Sequence, residues 1–148
     1  MEAVALTNHE LEIEDVEYLR HGDTPYLLRL LKPAGDGPFP LVVQLHGGAW
    51  CRGDRANDTA LNEALAKSGV VVAALEWRMP PVASYPAALT DINYAIRWLK
   101  SRAVDLRRST GQTLNGVKQP IQLASVARIV RPASGDGTML VACENPGW

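Results

Sequence analysis

Two nearly continuous apolar runs set the frame of this chain: Leu41-Val42-Val43-Gln44-Leu45 and Val70-Val71-Val72-Ala73-Ala74-Leu75. Runs of this length without alternation are the pattern of strands buried on both faces. Ahead of them, Leu11, Ile13, Val16 and Tyr18 interleave with Glu12, Glu14 and Glu17, which predicts a half-exposed strand with a register break near Asp15. Gly22-Asp23 marks a turn into a second strand over Tyr26–Leu31, ended by Lys32-Pro33 and the loop 35–38. Between the two buried runs, Asp54, Asn57 and Asp58 offer N-cap chemistry for a helix whose apolar face is Ala60, Leu61, Ala64 and Leu65, with Gly69 to end it. The result is a βαβ unit. A second helix begins near Ser84, tolerates Pro86 in its first turn, and buries Ala88, Leu89, Ile92, Ala95, Ile96 and Leu99. Asp91, Asn93, Arg97 and Lys100 fall on its exposed face.

The periodicity fades after about Val104. Ile121, Leu123, Val126, Ile129 and Val130 fit neither template over a useful length, and Arg131–Gly137 has loop composition. Only Met139-Leu140-Val141-Ala142-Cys143 reads as a further buried strand. Charge changes at the same place: residues 1–99 hold 8 Lys/Arg against 13 Asp/Glu, whereas residues 100–148 hold 7 against 3. The expected division is therefore 1–103 as one body and 104–148 as a divergent or out-of-frame tail, the frame changing between Lys100 and Gly111. The basic residues of the tail are scattered, without aromatic interleaving, so no nucleic-acid partner is expected.

The candidate chemistry lies where the first buried run stops, at His46-Gly47-Gly48-Ala49-Trp50. Adjacent glycines after a buried strand let the backbone turn tightly and present N–H groups to a ligand. This HGGAW segment, with Arg52-Gly53-Asp54-Arg55, Arg78-Met79-Pro80-Pro81 and Tyr85-Pro86-Ala87-Ala88-Leu89 at matching distances, resembles the hormone-sensitive-lipase-like branch of the α/β-hydrolase superfamily. The resemblance covers about the first hundred residues. It implies the N-terminal half of an α/β-hydrolase fold, a mixed, mostly parallel sheet flanked by helices, here truncated after the second helix. By the same resemblance the parent activity is hydrolysis of a small carboxylic ester, a lipase-like Ser-Asp-His reaction, in which the N–H groups of Gly47, Gly48 and Ala49 form the oxyanion hole.

The rest of that machinery is missing from the text. No serine stands in G-x-S-x-G: Ser109 follows Arg107-Arg108, Ser125 sits in Leu123-Ala124-Ser125-Val126-Ala127, and Ser134 has Pro132 where the first glycine belongs. His9, His21 and His46 all precede these serines, so the usual triad order cannot be assembled from this chain. The alternative is a non-catalytic ligand-binding or interaction module using the glycine-loop cleft. His46 reads as a structural ring that holds the loop, Trp50, Trp77 and Trp98 as packing residues, and Arg78 and Asp91 as structural polar partners. Cys51 reads as a buried or incidental thiol.

Composition adds exclusions. Hydrophobic residues make up 47% and charged residues 21%, and no apolar run approaches the roughly 20 residues of a membrane span. The acidic Met1-Glu2-Ala3 start lacks signal-peptide character, two cysteines make no disulfide framework, and no Cys/His spacing suits a metal. Neither G-x-G-x-x-G nor a P-loop follows a buried strand, so no nucleotide site is expected. The expectation is a cytoplasmic protein with no cofactor and no metal.

Overall fold

A computed structural model describes residues 8–35, 39–108, 127–130 and 139–143. Its strands are β1 (Leu11–His21), β2 (Thr24–Pro33), β3 (Leu41–Leu45), β4 (Val71–Leu75), β5 (Ala127–Val130) and β6 (Met139–Cys143). Helix α1 (Thr59–Lys67) connects β3 to β4, and α2 (Ala87–Arg108) follows β4. The strands form one sheet in the order β1-β2-β4-β3-β6-β5.

Both buried apolar runs are the strands expected, and they pair in parallel, Leu41 opposite Val71 and Gln44 opposite Ala74, with α1 as the crossover. The β1–β2 hairpin joins this unit antiparallel through β2 and β4, with Leu28 opposite Leu75 and Leu31 opposite Val72. The sheet is thus mixed, but β3–β4 is its one parallel pairing among the described strands; β6 lies antiparallel to both β3 and β5. A parallel pairing needs a long crossover between its strands, usually a helix, and α1 supplies it for β3 and β4. The fold is the partial, two-helix one expected, and its sheet also takes in β5 and β6 from beyond α2. Met139–Cys143 is the strand its apolar run predicts, whereas β5 lies on a stretch whose pattern predicts neither strand nor helix.

The two faces are covered by different helices. Leu28, Leu30, Leu41, Val43, Ala73 and Leu75 pack with Trp77 and with Ile92, Ala95 and Leu99 of α2. On the opposite face Leu31 and Val72 pack with Ala66 of α1. Alternation explains the split, because successive residues of a strand point to opposite sides. Each leucine buried this way contributes about 1.5–3 kcal/mol.

Three local expectations are corrected. The register shift in β1 falls between Glu17 and Leu19, not near Asp15. It takes Tyr18 out of the ladder and buries its ring in the core, where the hydroxyl donates to the Glu76 carbonyl. Helix α1 is rotated relative to its hydrophobic template: Asn62 and Ala66 are its buried residues and Leu61 is exposed. The reason is a polar contact, since the Asn62 Nδ2 donates to Gln44 Oε1 at 3.5 Å within the core. Helix α2 starts at Ala87 rather than near Ser84, with the Pro86 carbonyl accepting from the Thr90 N–H at 3.1 Å. Its Leu89 is exposed, and Asp91, expected on the surface, is only 1% exposed.

Candidate functional site

Strand β3 ends at Leu45, and the chain then makes a loop that turns back into α1. The turn is closed by the Cys51 N–H, which donates to the Gly48 carbonyl at 3.1 Å. Its two central residues, Ala49 (φ 54°) and Trp50 (φ 63°), are both left-handed, the backbone pattern of a type I′ turn. Such turns favour Asn and Gly; each L-residue placed there costs about 1–2 kcal/mol. Gly48 itself has φ 122°, and a Cβ on it would lie 2.0 Å from the Arg52 carbonyl oxygen. Only glycine fits. The turn therefore sits two residues later than the Gly47-Gly48 pair suggests, on residues whose types give no hint of it.

The base of the loop is held by His46, which is 5% exposed. Its Nδ1–H donates to the Gly47 carbonyl at 2.8 Å, since a carbonyl can only accept. That bond is the structural role expected for the ring. One ring face stacks on Trp77, centroids 4.0 Å apart and planes 14° from parallel. Gly53 lies close to the imidazole as well: a Cβ there would come within 2.4 Å of Nδ1 and 2.9 Å of the Asn57 Nδ2. Leu45, His46, Gly47, Gly48, Ala49, Trp50 and Trp77 line a cavity of about 80 Å³. The His46 Nε2 and Trp77 Nε1 are buried and have no hydrogen-bond partner among the described residues. Trp77 is buried and Trp98 packs at the edge of the core, as expected; Trp50 is 46% exposed, beyond a simple packing role. Cys51 is a free, exposed thiol whose Sγ lies 3.4 Å from the Gly48 carbonyl, rather than a buried one.

Two polar clusters support the loop from outside. The Arg78 guanidinium and backbone N–H both donate to Asp91, with Nη2 at 2.7 Å from Oδ1 and the N–H at 2.9 Å from Oδ2, and the His21 Nε2 lies 3.1 Å from Oδ1. Burial alone would raise the Asp91 pKa, but the Arg78 hydrogen bonds and the His21 bond outweigh it and hold the carboxyl below the usual carboxylate range. Arg78 and Asp91 are therefore structural partners. On the other side of the sheet the Gln44 Nε2 donates to Asp58 Oδ2 at 2.6 Å, which engages Asp58 with β3; no side-chain cap bond forms at the start of α1.

Gly47, Gly48 and Ala49 are thus brought together around one small cavity. Ser109, Ser125 and Ser134 lie outside the described residues. No helix among the described residues is long and apolar enough to cross a membrane.

Comparison with known proteins fits this geometry. The model of the BD-FAE family matches residues 29–114. The chain is 32% identical over 100 residues to the carboxylesterase NlhH of Mycobacterium tuberculosis, a match covering 66% of this chain and 31% of that protein. It is also 32% identical over 75 residues to the 2-hydroxyisoflavanone dehydratase of Glycyrrhiza echinata, covering 49% of this chain and 23% of the relative. The chain spans less than a third of the length of either. Among solved structures, the thermostable carboxylesterase EstE1 from a metagenomic library superposes with a TM-score of 0.59 at 25% identity, over 69% of this chain and 35% of that one. With a family match over more than half its length and an esterase fold around its glycine loop, the chain belongs to the BD-FAE family, in the esterase branch of the α/β-hydrolases, and covers its N-terminal part.

Proposed function

We propose that residues 46–50 are the carbonyl-binding half of an esterase site. The N–H groups of Gly47, Gly48 and Ala49 hold the oxygen of a small carboxylic ester and stabilise the oxyanion that forms when its carbonyl is attacked. The observation that carries this reading is the left-handed run at Gly48, Ala49 and Trp50 beside the cavity. Successive N–H groups in such a bend converge on one point and make a concave site for negative charge. Removing one donor of this kind from an active esterase costs about 3 kcal/mol of transition-state stabilisation. This chain has relatives named for ester hydrolysis and for dehydration, which supports a role common to both: gripping a carbonyl oxygen while residues elsewhere select the bond that breaks.

The parent reaction is acyl transfer through a serine, but this chain places no serine in G-x-S-x-G and no histidine after His46. That observation favours a second reading for the chain alone, a ligand-binding module that holds the ester without turning it over. A turnover assay separates the two. The purified chain is expected to hydrolyse a short-chain aryl ester no faster than its Gly48→Ala variant. Turnover above that control, abolished by a serine-directed phosphonate that labels Ser109, Ser125 or Ser134, would restore the catalytic reading.

A further inference from the structure

The return arm of the glycine loop, from Gly53 to Asn57, carries an arginine whose partners lie elsewhere in the fold. Arg55 Nη2 donates to Asp15 Oδ2 of β1 at 2.9 Å, and Arg55 Nη1 donates to Glu76 Oε1. Glu76 is the first residue after β4, and it is fixed to the sheet three times over. Its N–H donates to the Leu27 carbonyl at 3.0 Å, its Oε2 accepts from the Leu27 N–H at 3.3 Å, and its carbonyl accepts from the Tyr18 hydroxyl. Asp15 is held by the fork of Arg29, at 2.8 and 3.0 Å.

The position of this ion pair in the chain matters more than its charge. Gly53, two residues before Arg55, presses on the His46 imidazole, and Trp77, one residue after Glu76, stacks on it. The Arg55–Glu76 contact therefore fastens together the two segments that enclose His46. His46 in turn holds the Gly47 carbonyl at the mouth of the loop. An isolated exposed ion pair would do little here, but Arg55, Asp15 and Glu76 are each at least two-thirds withdrawn from solvent, and the planar guanidinium fork spans two carboxylates at once. A lysine would meet the two carboxylates through a single nitrogen rather than a planar fork.

We infer that Arg55 is a positioning residue for the glycine loop: by joining Glu76 to the return arm it closes Gly53 and Trp77 on His46 and so fixes the backbone that carries the Gly47–Ala49 N–H groups. Its functional meaning rests on the carbonyl-binding reading above. The geometry it claims does not, so the two can fail separately.

The test reads the loop directly by NMR on the full chain. Two signals report it: the Nδ1–H tautomer of His46, visible in its ring 15N shifts, and solvent exchange of the Cys51 amide that closes the turn. Arg55→Met is expected to average the His46 tautomers and to speed Cys51 exchange about tenfold relative to the β3 and β4 amides. Arg55→Lys should fall between it and the unaltered protein. Arg29→Met, which removes the other cation from Asp15 and leaves Glu76 alone, should change neither signal. Unaltered His46 and Cys51 signals in Arg55→Met, or an equal change in Arg29→Met, would overturn the assignment. Should Arg55→Met unfold, shown by loss of the β3 and β4 amides, Arg55→Lys and Glu76→Gln decide it: unperturbed loop signals in both would overturn it. Titration with a ketone ligand tests the carbonyl-binding reading independently, since loss of binding with an intact His46 tautomer faults that reading and leaves Arg55 standing.

Discussion

At Gly53 and Ala49 the loop makes opposite demands on neighbouring residues. Gly53 has φ 109° and no room for a side chain, because a Cβ would meet the His46 ring at 2.4 Å. Gly53→Ala is therefore expected to destabilise the protein by about 2–4 kcal/mol, combining backbone strain with a clash against a buried ring. Ala49, at φ 54°, already bears a left-handed strain that glycine would relieve. Ala49→Gly should stabilise by about 0.5–1 kcal/mol, the relief being partly offset by a more flexible unfolded chain. Urea denaturation of both variants checks the pair; equal shifts in one direction would mean that the loop backbone differs from the one described. The close backbone approach at Gly48 and the loop-holding hydrogen bond of His46 were legible, whereas paired glycines by themselves read equally as a plain tight turn, and the oxyanion role of Gly47, Gly48 and Ala49 came only from the resemblance. The same text hid the turn centred on Ala49 and Trp50, because neither residue favours φ above zero. It also hid Asp91, which looks like a surface carboxylate until Arg78 and His21 converge on it.

Elements were legible where hydrophobicity alone positions them. β3, β4 and β6 stand where their apolar runs lie, and α2 follows its repeat except at Leu89. Helix α1 departs from its repeat because its inward face is anchored by an amide, Asn62 on Gln44, which a hydrophobic template cannot register. β5 departs because four residues carry too little periodicity to read. The attachment of α2 is also polar, and it has a pH signature. Arg78 and His21 hold the Asp91 carboxyl below its usual range, so folding stabilises the ionised form. That contribution is fully present above the unfolded carboxylate pKa of about 3.9 and disappears as pH falls through the lower folded value. Asp91→Asn should cost about 3 kcal/mol at neutral pH, since it breaks a buried pair, and the gap from the unaltered protein should hold from about pH 5 to 8 and close in acid below about pH 4. Asp15, held low by the Arg29 and Arg55 hydrogen bonds, weakens in acid in the same sense in both proteins and cancels in the difference. A gap that widens in acid would show that Asp91 is not the group responsible.

On the scale of the whole molecule, the parallel β3-α1-β4 unit sets the glycine loop at the end of β3, and α2 and the β1–β2 hairpin fix it from the side through Trp77, Glu76 and Arg55. This half of the architecture was legible because it follows from two buried runs and the helix between them. The order β2-β4-β3 was not, since the hairpin joins β4 rather than β3, a choice that local periodicity does not encode. The family match ends at residue 114, close to where periodicity fades and the charge balance changes sign. The account therefore stands or falls on whether the loop by itself grips a carbonyl oxygen. The most direct measurement is a 1H–15N titration of the full chain with phenylacetone, a ketone that cannot be hydrolysed. The account predicts saturable downfield shifts concentrated on the Gly47, Gly48 and Ala49 amides and lost in Gly48→Ala. Shifts that miss these three amides, or that persist unchanged in Gly48→Ala, would contradict it.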